Sequence, residues 1–450
     1  MTTNSLLGKK ILFANFPADG HFNPLTGLAV HLKKLGCDVR WYTSNTYTEK
    51  LRKLQIHHYP FQRAADVSNN DFDKAFPGRL KCKTQISRLK FDIVNAFILR
   101  GPEYYTDILN IYREFRFDLM VADNTFTGMP FVRNLINVPV IAIGVTPIAE
   151  NSKDLAPSGL GMVPSYSVLG KIKQALLRKI TNKFIFGDPN KIMHSLLDRY
   201  GIKHKNENLF DMLIRSTDLL LQTGTPSLEY YRSDLSRNVR FIGPLLPYAS
   251  ASTQPQWFDE RLNKYRKIVL VTQGTVEKDI NKILVPTLEA FKNSNTLVIA
   301  TTGGTQTDLL RARYPQKNII IEDFIPFADV MPYADVYVTN GGYGGVMLAI
   351  ENKLPMVVAG IHEGKNEINA RIGYFGYGVN LKTEWPKISQ MRNAINEVIN
   401  NKLYRYNIDK LAAEFTRYNP ELLFTKYVKE VLKPSLRTQF VEQYQEEKIY

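Results

Sequence analysis

Two side chains stand where they can do acid–base chemistry. His21 follows Gly20 in the run PADGHFNP (17–24), among small residues that leave its ring accessible. A free imidazole titrates near pH about 6.5, so it can accept a proton at neutral pH. Such a base works best beside a carboxylate that fixes its tautomer and stabilises the imidazolium. Asp123, closing the apolar run FDLMVAD (117–123), is the candidate partner. The competing reading makes His21 a helix cap and Asp123 a turn residue. A second group lies at Asn340-Gly341-Gly342-Tyr343-Gly344-Gly345, between an apolar run and a helical one. A strand, a glycine turn and a helix start offer an anion unpaired N–H groups and about half a positive charge, and glycine lets a diphosphate approach the backbone. The loop beyond the next apolar run carries His362, Glu363, Lys365, Asn366 and Glu367, which can face whatever the phosphates bear. For the glycines alone, an ordinary tight βα turn is the alternative.

The elements that must position these groups repeat one pattern. Residues 9–16 (KKILFANF) predict a strand, 25–35 (LTGLAVHLKKL) a helix closing at Gly36, and 37–43 (CDVRWYT) a strand. This unit opens a Rossmann-like parallel sheet, with Pro24 suited to a first helical turn. His21 then falls at the carboxyl end of the first strand, where open α/β sheets place their ligand crevices. Strands are expected at 117–123, 138–145, 219–222 and 240–242, while 60–115 reads as irregular. Residues 171–184 are amphipathic: Ile172, Leu176, Leu177, Ile180 and Phe184 oppose Lys171, Lys173, Arg178, Lys179 and Lys183. The expectation is that this apolar face packs on the domain's own core, with a membrane surface as the alternative.

Gly243-Pro244 opens a polar stretch, LLPYASASTQPQ, that reads as a linker, and then the pattern restarts. A strand at 267–272 meets the turn Gln273-Gly274-Thr275 and a helix at 278–292. Strands follow at 296–301, 318–321, 336–338 and 355–358, with a helix at 346–352. Phe324 and Ile325 sit just past the third of these strands, where an aromatic face can stack on a nucleobase or simply pack beneath the loop. The fold expected is α/β, with two facing Rossmann-like domains and a cleft between them. Their spans are 1–243 and 263–425, joined by a linker at 244–262, with a terminal helix at 426–450 long enough to return to the first domain.

The totals narrow the function. With 450 residues, 44% hydrophobic and 22% charged, the chain is globular and too long for one core of usual size. Two cysteines, Cys37 and Cys82, exclude a disulfide framework and a cysteine zinc site. No His-X-X-X-His pair supports a metal, and Asp71-Phe72-Asp73 follows a polar run, as a solvated loop does. No apolar run approaches a membrane span, and the amino terminus carries no long apolar signal core, so the cytoplasm is the expected location. A net charge of +15 suits an anionic substrate or membrane surface. Lys and Arg are spread along the chain without a nucleic-acid motif, so no nucleic-acid partner is expected. Weak peripheral membrane contact stays open, and the oligomeric state is not legible.

In order and spacing these residues resemble one family, the inverting nucleotide-sugar glycosyltransferases of GT-B fold, and within it the bacterial macrolide- and flavonoid-type UDP-glycosyltransferases. The resemblance runs along nearly the whole chain. Gly20-His21-Phe22-Asn23-Pro24 is similar to the family's Gly-His-X-X-Pro loop with its catalytic base, and Asp123 stands at the aspartate partner's place. Gly243-Pro244 is similar to the Gly-Pro that ends the first domain. Gln273-Gly274-Thr275 resembles a turn touching the diphosphate, and Phe324-Ile325-Pro326-Phe327 the turn that holds the base. Asn340-Gly341-Gly342 resembles the phosphate turn His-Gly-Gly, Pro355-Met356 the strand behind the pocket, and Asn369-Ala370 the start of the next helix. Four departures gather on the donor side: Asn340 replaces a histidine, Leu348 a glutamate, Phe327 a glutamine, and Lys365-Asn366 an acid–glutamine pair that reads sugar hydroxyls.

The resemblance implies a hexosyltransferase with His21 as base and Asp123 as its partner. It places the diphosphate and nucleotide at Gly274, Thr275, Phe324, Ile325, Asn340, Gly341, Gly342, Gly344 and Gly345, and the sugar at Glu363, Lys365 and Asn366. The co-substrate would be a nucleoside-diphosphate sugar, with UDP favoured, and no metal or other cofactor is expected. The acceptor would be a small apolar or aromatic molecule. A lipid acceptor at a membrane surface and a non-catalytic relative with a decayed donor pocket are the rival readings.

Overall fold

The computed structural model describes residues 5–67, 72–248, 256–274, 277–362 and 364–433. Among these, two wholly parallel sheets carry the fold. The first joins β1 (Lys10–Ala14), β2 (Asp38–Thr43), β3 (His57–Pro60), β4 (Leu119–Asp123), β5 (Val140–Gly144), β6 (Leu219–Thr223) and β7 (Val239–Gly243) in the order β3-β2-β1-β4-β5-β6-β7. The second joins β8 (Lys267–Thr272), β9 (Thr296–Thr301), β10 (Ile319–Glu322), β11 (Val336–Thr339), β12 (Met356–Val358) and β13 (Gly378–Asn380) in the order β10-β9-β8-β11-β12-β13. The central strands are apolar runs covered on both faces, which is why every residue of β4, β5, β9 and β11 is buried. Each sheet has its own pair of apolar clusters, one per face. The chain is thus α/β with two Rossmann-like units.

The helices used below are α1 (Asp19–Lys34), α2 (Gln85–Asp92), α3 (Arg100–Glu114), α4 (Val168–Phe184), α5 (Gly187–Arg199), α6 (Tyr343–Glu351), α7 (Lys365–Tyr374) and α8 (Pro420–Val431). Phe424, Val428 and Val431 of α8 join Ile11, Leu28 and Val39 in the core of the first sheet. His31 of α1 fixes the same helix, bonding Thr425 Oγ1 at 2.7 Å and Glu421 at 3.2 Å. The helix that packs there starts at Pro420 rather than 426, and residues 434–450 of the expected terminal helix lie outside the described residues.

Several local expectations need correcting. Helix α1 begins at Asp19 rather than near 25, because Ala18 is extended and its carbonyl accepts the N–H groups of His21 and Phe22. Pro24 consequently lies inside the helix and not in its first turn. The helix expected at 278–292 shortens to Leu284–Phe291. Glu277 and Asp279 side chains accept the N–H groups of Asp279 and Asn281, which holds the preceding residues in turns. The irregular region at 60–115 contains α2 and α3. The largest departure is α4, whose only buried residues are the polar Gln174 and Thr181. Its apolar stripe faces solvent, not the core.

Candidate active site

In each sheet the strand order reverses direction at one place, between β1 and β4 in the first and between β8 and β11 in the second. Chains leaving adjacent strands at such a point go to opposite faces and leave a crevice at the carboxyl ends. His21 and Asp123 flank the first of these points. Ala14 of β1 pairs with Ala122 of β4, so the third residue of α1 comes back over the strand end that carries Asp123.

His21 Nδ1 lies 2.9 Å from Asp123 Oδ1. The Asp123 side chain is 0% exposed and that of His21 18%. A buried carboxylate needs donors, and Asp123 has them: Phe16 N–H at 2.6 Å, Thr125 N–H at 2.9 Å and the Thr125 hydroxyl at 2.5 Å. The carboxylate is an acceptor only, so the His21 proton belongs on Nδ1 and the lone pair on Nε2. Phe16 meets the imidazole edge-on at 5.4 Å and is itself stacked on Phe97 at 4.4 Å, which limits ring rotation. Thr125 has no signal in the sequence beyond lying two residues past Asp123.

The second reversal gathers the glycine turns. Gly274 and Gly341 take φ of +79° and +90° at the ends of β8 and β11. At Gly341 even a methyl group is excluded, since a Cβ would fall 1.9 Å from Asn369 Oδ1. Asn369 holds the turn from below, donating to the carbonyls of Asn340 at 3.2 Å and Gly360 at 2.9 Å. The Asn340 amide donates to the Gln273 carbonyl, which ties the two turns together. Gly342 caps α6 without a side-chain hydrogen bond, and nothing lies within 4 Å of where a Gly344 side chain would begin. Gly345 packs closely on Tyr337, whose hydroxyl would sit 3.0 Å from an added Cβ.

Phe324 is 69% exposed beside Gly304, while the Ile325 side chain is buried in the core. Phe327 packs on Tyr337. Lys365 opens α7, its N–H donating to the His362 carbonyl. The Asn366 amide is engaged across the cleft, donating to Gly159 at 2.7 Å. Thr275 and Glu363 lie outside the described residues, as does Asp71. Asp73 is paired with Arg79 at 2.8 Å.

Helices α1 and α6 approach to within 8 Å between Cα atoms, so the helix bearing His21 meets the one that starts at the glycine turn. Polar residues between the two units hold this arrangement. The Tyr343 hydroxyl reaches the first sheet, donating to Thr223 O at 3.2 Å, with the Gln222 amide at 3.4 Å. Burial pushes its phenol up, so it stays a neutral donor. Arg371 is wholly buried between Glu229 at 2.8 Å and Glu367 at 3.1 Å. Burial opposes its charge, but the two carboxylates outweigh that and raise its pKa. Glu367 also accepts the N–H groups of Gly159 and Gly161, both at 2.8 Å. The Glu367/Arg371 spacing is a legible helical pair. Nothing in the sequence points to Glu229.

This arrangement, two parallel-sheet units whose reversal points carry a histidine–carboxylate pair and a pair of glycine turns, is that of a GT-B glycosyltransferase. The sequence profile of UDP-glucoronosyl and UDP-glucosyl transferases matches residues 106–416. The 4'-demethylrebeccamycin synthase of Lentzea aerocolonigenes is 34% identical over 91% of this chain and 96% of its own. UDP-glycosyltransferase 2 of Phaeomoniella chlamydospora is 28% identical over 90% and 92% respectively. Among solved structures, the glycotransferase of kitacinnamycin superposes with a TM-score of 0.74, 16% identity, and coverage of 95% of this chain and 100% of that one. The chain belongs to the UDP-glucoronosyl and UDP-glucosyl transferase family, and it is a glycosyltransferase.

Proposed function

We propose that the enzyme moves a hexose from a nucleoside-diphosphate sugar, a UDP-sugar by preference, to a hydroxyl of a small apolar or aromatic acceptor with inversion at the anomeric carbon. The observation that carries this reading is the 2.9 Å contact of His21 Nδ1 with buried Asp123. With Nδ1 committed, Nε2 is the atom that takes the acceptor's proton. The acceptor oxygen forms its bond to the anomeric carbon as the bond to the phosphate oxygen breaks. The electron pair leaves with the nucleoside diphosphate. Asp123 stabilises the imidazolium, a contribution of general-base type worth about 10²–10⁴-fold in rate.

The departing diphosphate is received in this reading by the uncapped start of α6 and the N–H groups of Gly341, Gly342, Gly344 and Gly345, with Gly274 at the end of β8; Thr275 is assigned to the same group. Preorganised donors of this kind act where charge develops. Asn340 contributes indirectly, because its amide is spent on Gln273. Phe324 supplies an exposed face for the base, and Ile325 its backbone only. Lys365, Asn366 and Glu363 are assigned to the sugar.

The test is His21→Ala. Transfer should fall by about 10²-fold or more while affinity for the free nucleoside diphosphate, read by calorimetry, stays within about twofold. Undiminished transfer would remove the mechanism. Absence of any nucleotide binding in the parent protein would instead remove the assigned donor site.

A further inference from the structure

Helix α4 is turned inside out. Its polar side holds it to the fold: the Gln174 carbonyl accepts Ser165 N–H at 2.8 Å, the Gln174 amide donates to Asp154 O at 3.2 Å, Arg178 donates to Leu155 O, and Asn182 accepts from Asn208 at 3.1 Å. Those bonds fix which face points outward. Val168, Leu169, Ile172, Leu176, Ile180 and Phe184 are therefore exposed by 42–80%. An ordinary surface helix buries such a stripe, and a contiguous exposed one marks a binding surface.

The charge on the same helix says what would bind. Its ionisable residues are Lys171, Lys173, Arg178, Lys179 and Lys183, with no acid among them. Helix α2 adds a second piece with the same character. It buries none of its residues, exposes Ile86 and Leu89, and carries Arg88 and Lys90. Lys90 pairs with Asp188 at 3.2 Å, which ties α2 to the start of α5, the next helix after α4. The acids on this side are engaged: Asp92, the last residue of α2, pairs with Arg79 at 2.7 Å, Asp188 pairs with Lys90, and Asp154 accepts from Ser233 N–H.

We propose that α4, with α2 tied to the neighbouring α5, docks the enzyme onto an anionic lipid bilayer, its aliphatic side chains entering the headgroup boundary and its lysines reaching the lipid phosphates. Aliphatic stripes flanked by lysine are the pattern of helices that lie in a membrane interface, where the long basic side chains extend to the headgroups. A protein partner fits less well, since protein interfaces favour aromatic residues and arginine and are depleted in lysine. A second copy would bring two wholly basic helices together. Among the described residues no helix is long and apolar enough to cross a membrane, so the association is one of lying on the surface. The docking goes beyond the transfer reaction and does not depend on His21.

Flotation of the full chain with vesicles separates the outcomes. The protein should rise with phosphatidylglycerol-containing vesicles at about 0.1 M salt, stay down with pure phosphatidylcholine, and detach at about 1 M salt. L169E/L176E and K171Q/K173Q/K179Q, all changes at exposed positions, should each lower the bound fraction roughly tenfold without shifting Tm. The proposal is overturned if the parent protein stays down with anionic vesicles, or if both variants float as it does. It is equally overturned if L169E/L176E instead lowers the oligomeric mass by light scattering, which would mean that a second copy covers the face.

Discussion

Arg371 and Glu229 lie 142 positions apart on opposite sides of the cleft, and their buried side chains meet at 2.8 Å. Arg232 shares the same carboxylate at 3.4 Å. The two sheet units are thus joined by buried charge as well as by chain connectivity.

Removing one partner strands the other. Arg371→Met leaves Glu229 and Glu367 without their shared cation at a buried site, and breaking such a pair costs about 3–5 kcal/mol. Thermal unfolding should show a large drop in Tm. Glu229→Gln combined with Arg371→Met should recover part of it, and a double variant worse than the sum of the singles would refute the pairing as described.

Asp123→Asn tests the other buried carboxylate. An amide can still accept from Phe16 N–H, but it can donate to His21 Nδ1 and so favour the wrong tautomer. In the proposed mechanism kcat falls by about 10²–10⁴-fold with KM for the donor nearly constant. A loss confined to KM would count against the assigned role.

Gly341 and Gly344 should respond differently to the same added methyl. Gly341→Ala combines φ of +90° with a Cβ only 1.9 Å from Asn369 Oδ1, so it should destabilise the fold by about 1–3 kcal/mol. Gly344→Ala meets nothing within 4 Å and should leave Tm unchanged or slightly raised. If the diphosphate sits where proposed, that methyl intrudes on it, and calorimetry with UDP should show weaker binding.

Acid should loosen the loop before α7. Burial pushes the Glu384 carboxyl up, but Ile361 N–H, Lys282 and His362 N–H together outweigh this and hold it below its ordinary value. A depressed carboxyl stabilises the fold fully above its unfolded value, about 4.3, and loses that contribution as pH falls through the folded one. Amide exchange at Ile361 and His362 should therefore accelerate, after correction for intrinsic rates, as pH drops below the usual carboxylate range. In Glu384→Gln the corrected rates should lose this dependence.

Much of this architecture is legible in the chain because the central strands are long apolar runs. Strands β8 and β9 occupy the expected 267–272 and 296–301 without a residue's shift. Edge strands are another matter: β3 (HHYP) and β13 (GVN) are short and partly exposed, so no apolar period announces them. The sheet order explains how His21 and Asp123, 102 residues apart, reach one rim. Helix α4 shows the limit of pattern reading. Periodicity reveals that an apolar face exists, but Gln174 and Arg178 decide which way it points. Interdomain partners such as Glu229 and Tyr343 depend on the docking of two units, which no local pattern encodes.

Helix α7 anchors a segment of the first unit through two adjacent side chains. The Asn366 amide donates one of its two N–H groups to the Gly159 carbonyl, while Glu367 holds the N–H groups of Gly159 and Gly161. If Asn366 reads the donor sugar, the side chain that grips the sugar also anchors that segment, and loading the donor stiffens it. Amide exchange at Gly159 and Gly161 that does not slow when the donor is added would break that link.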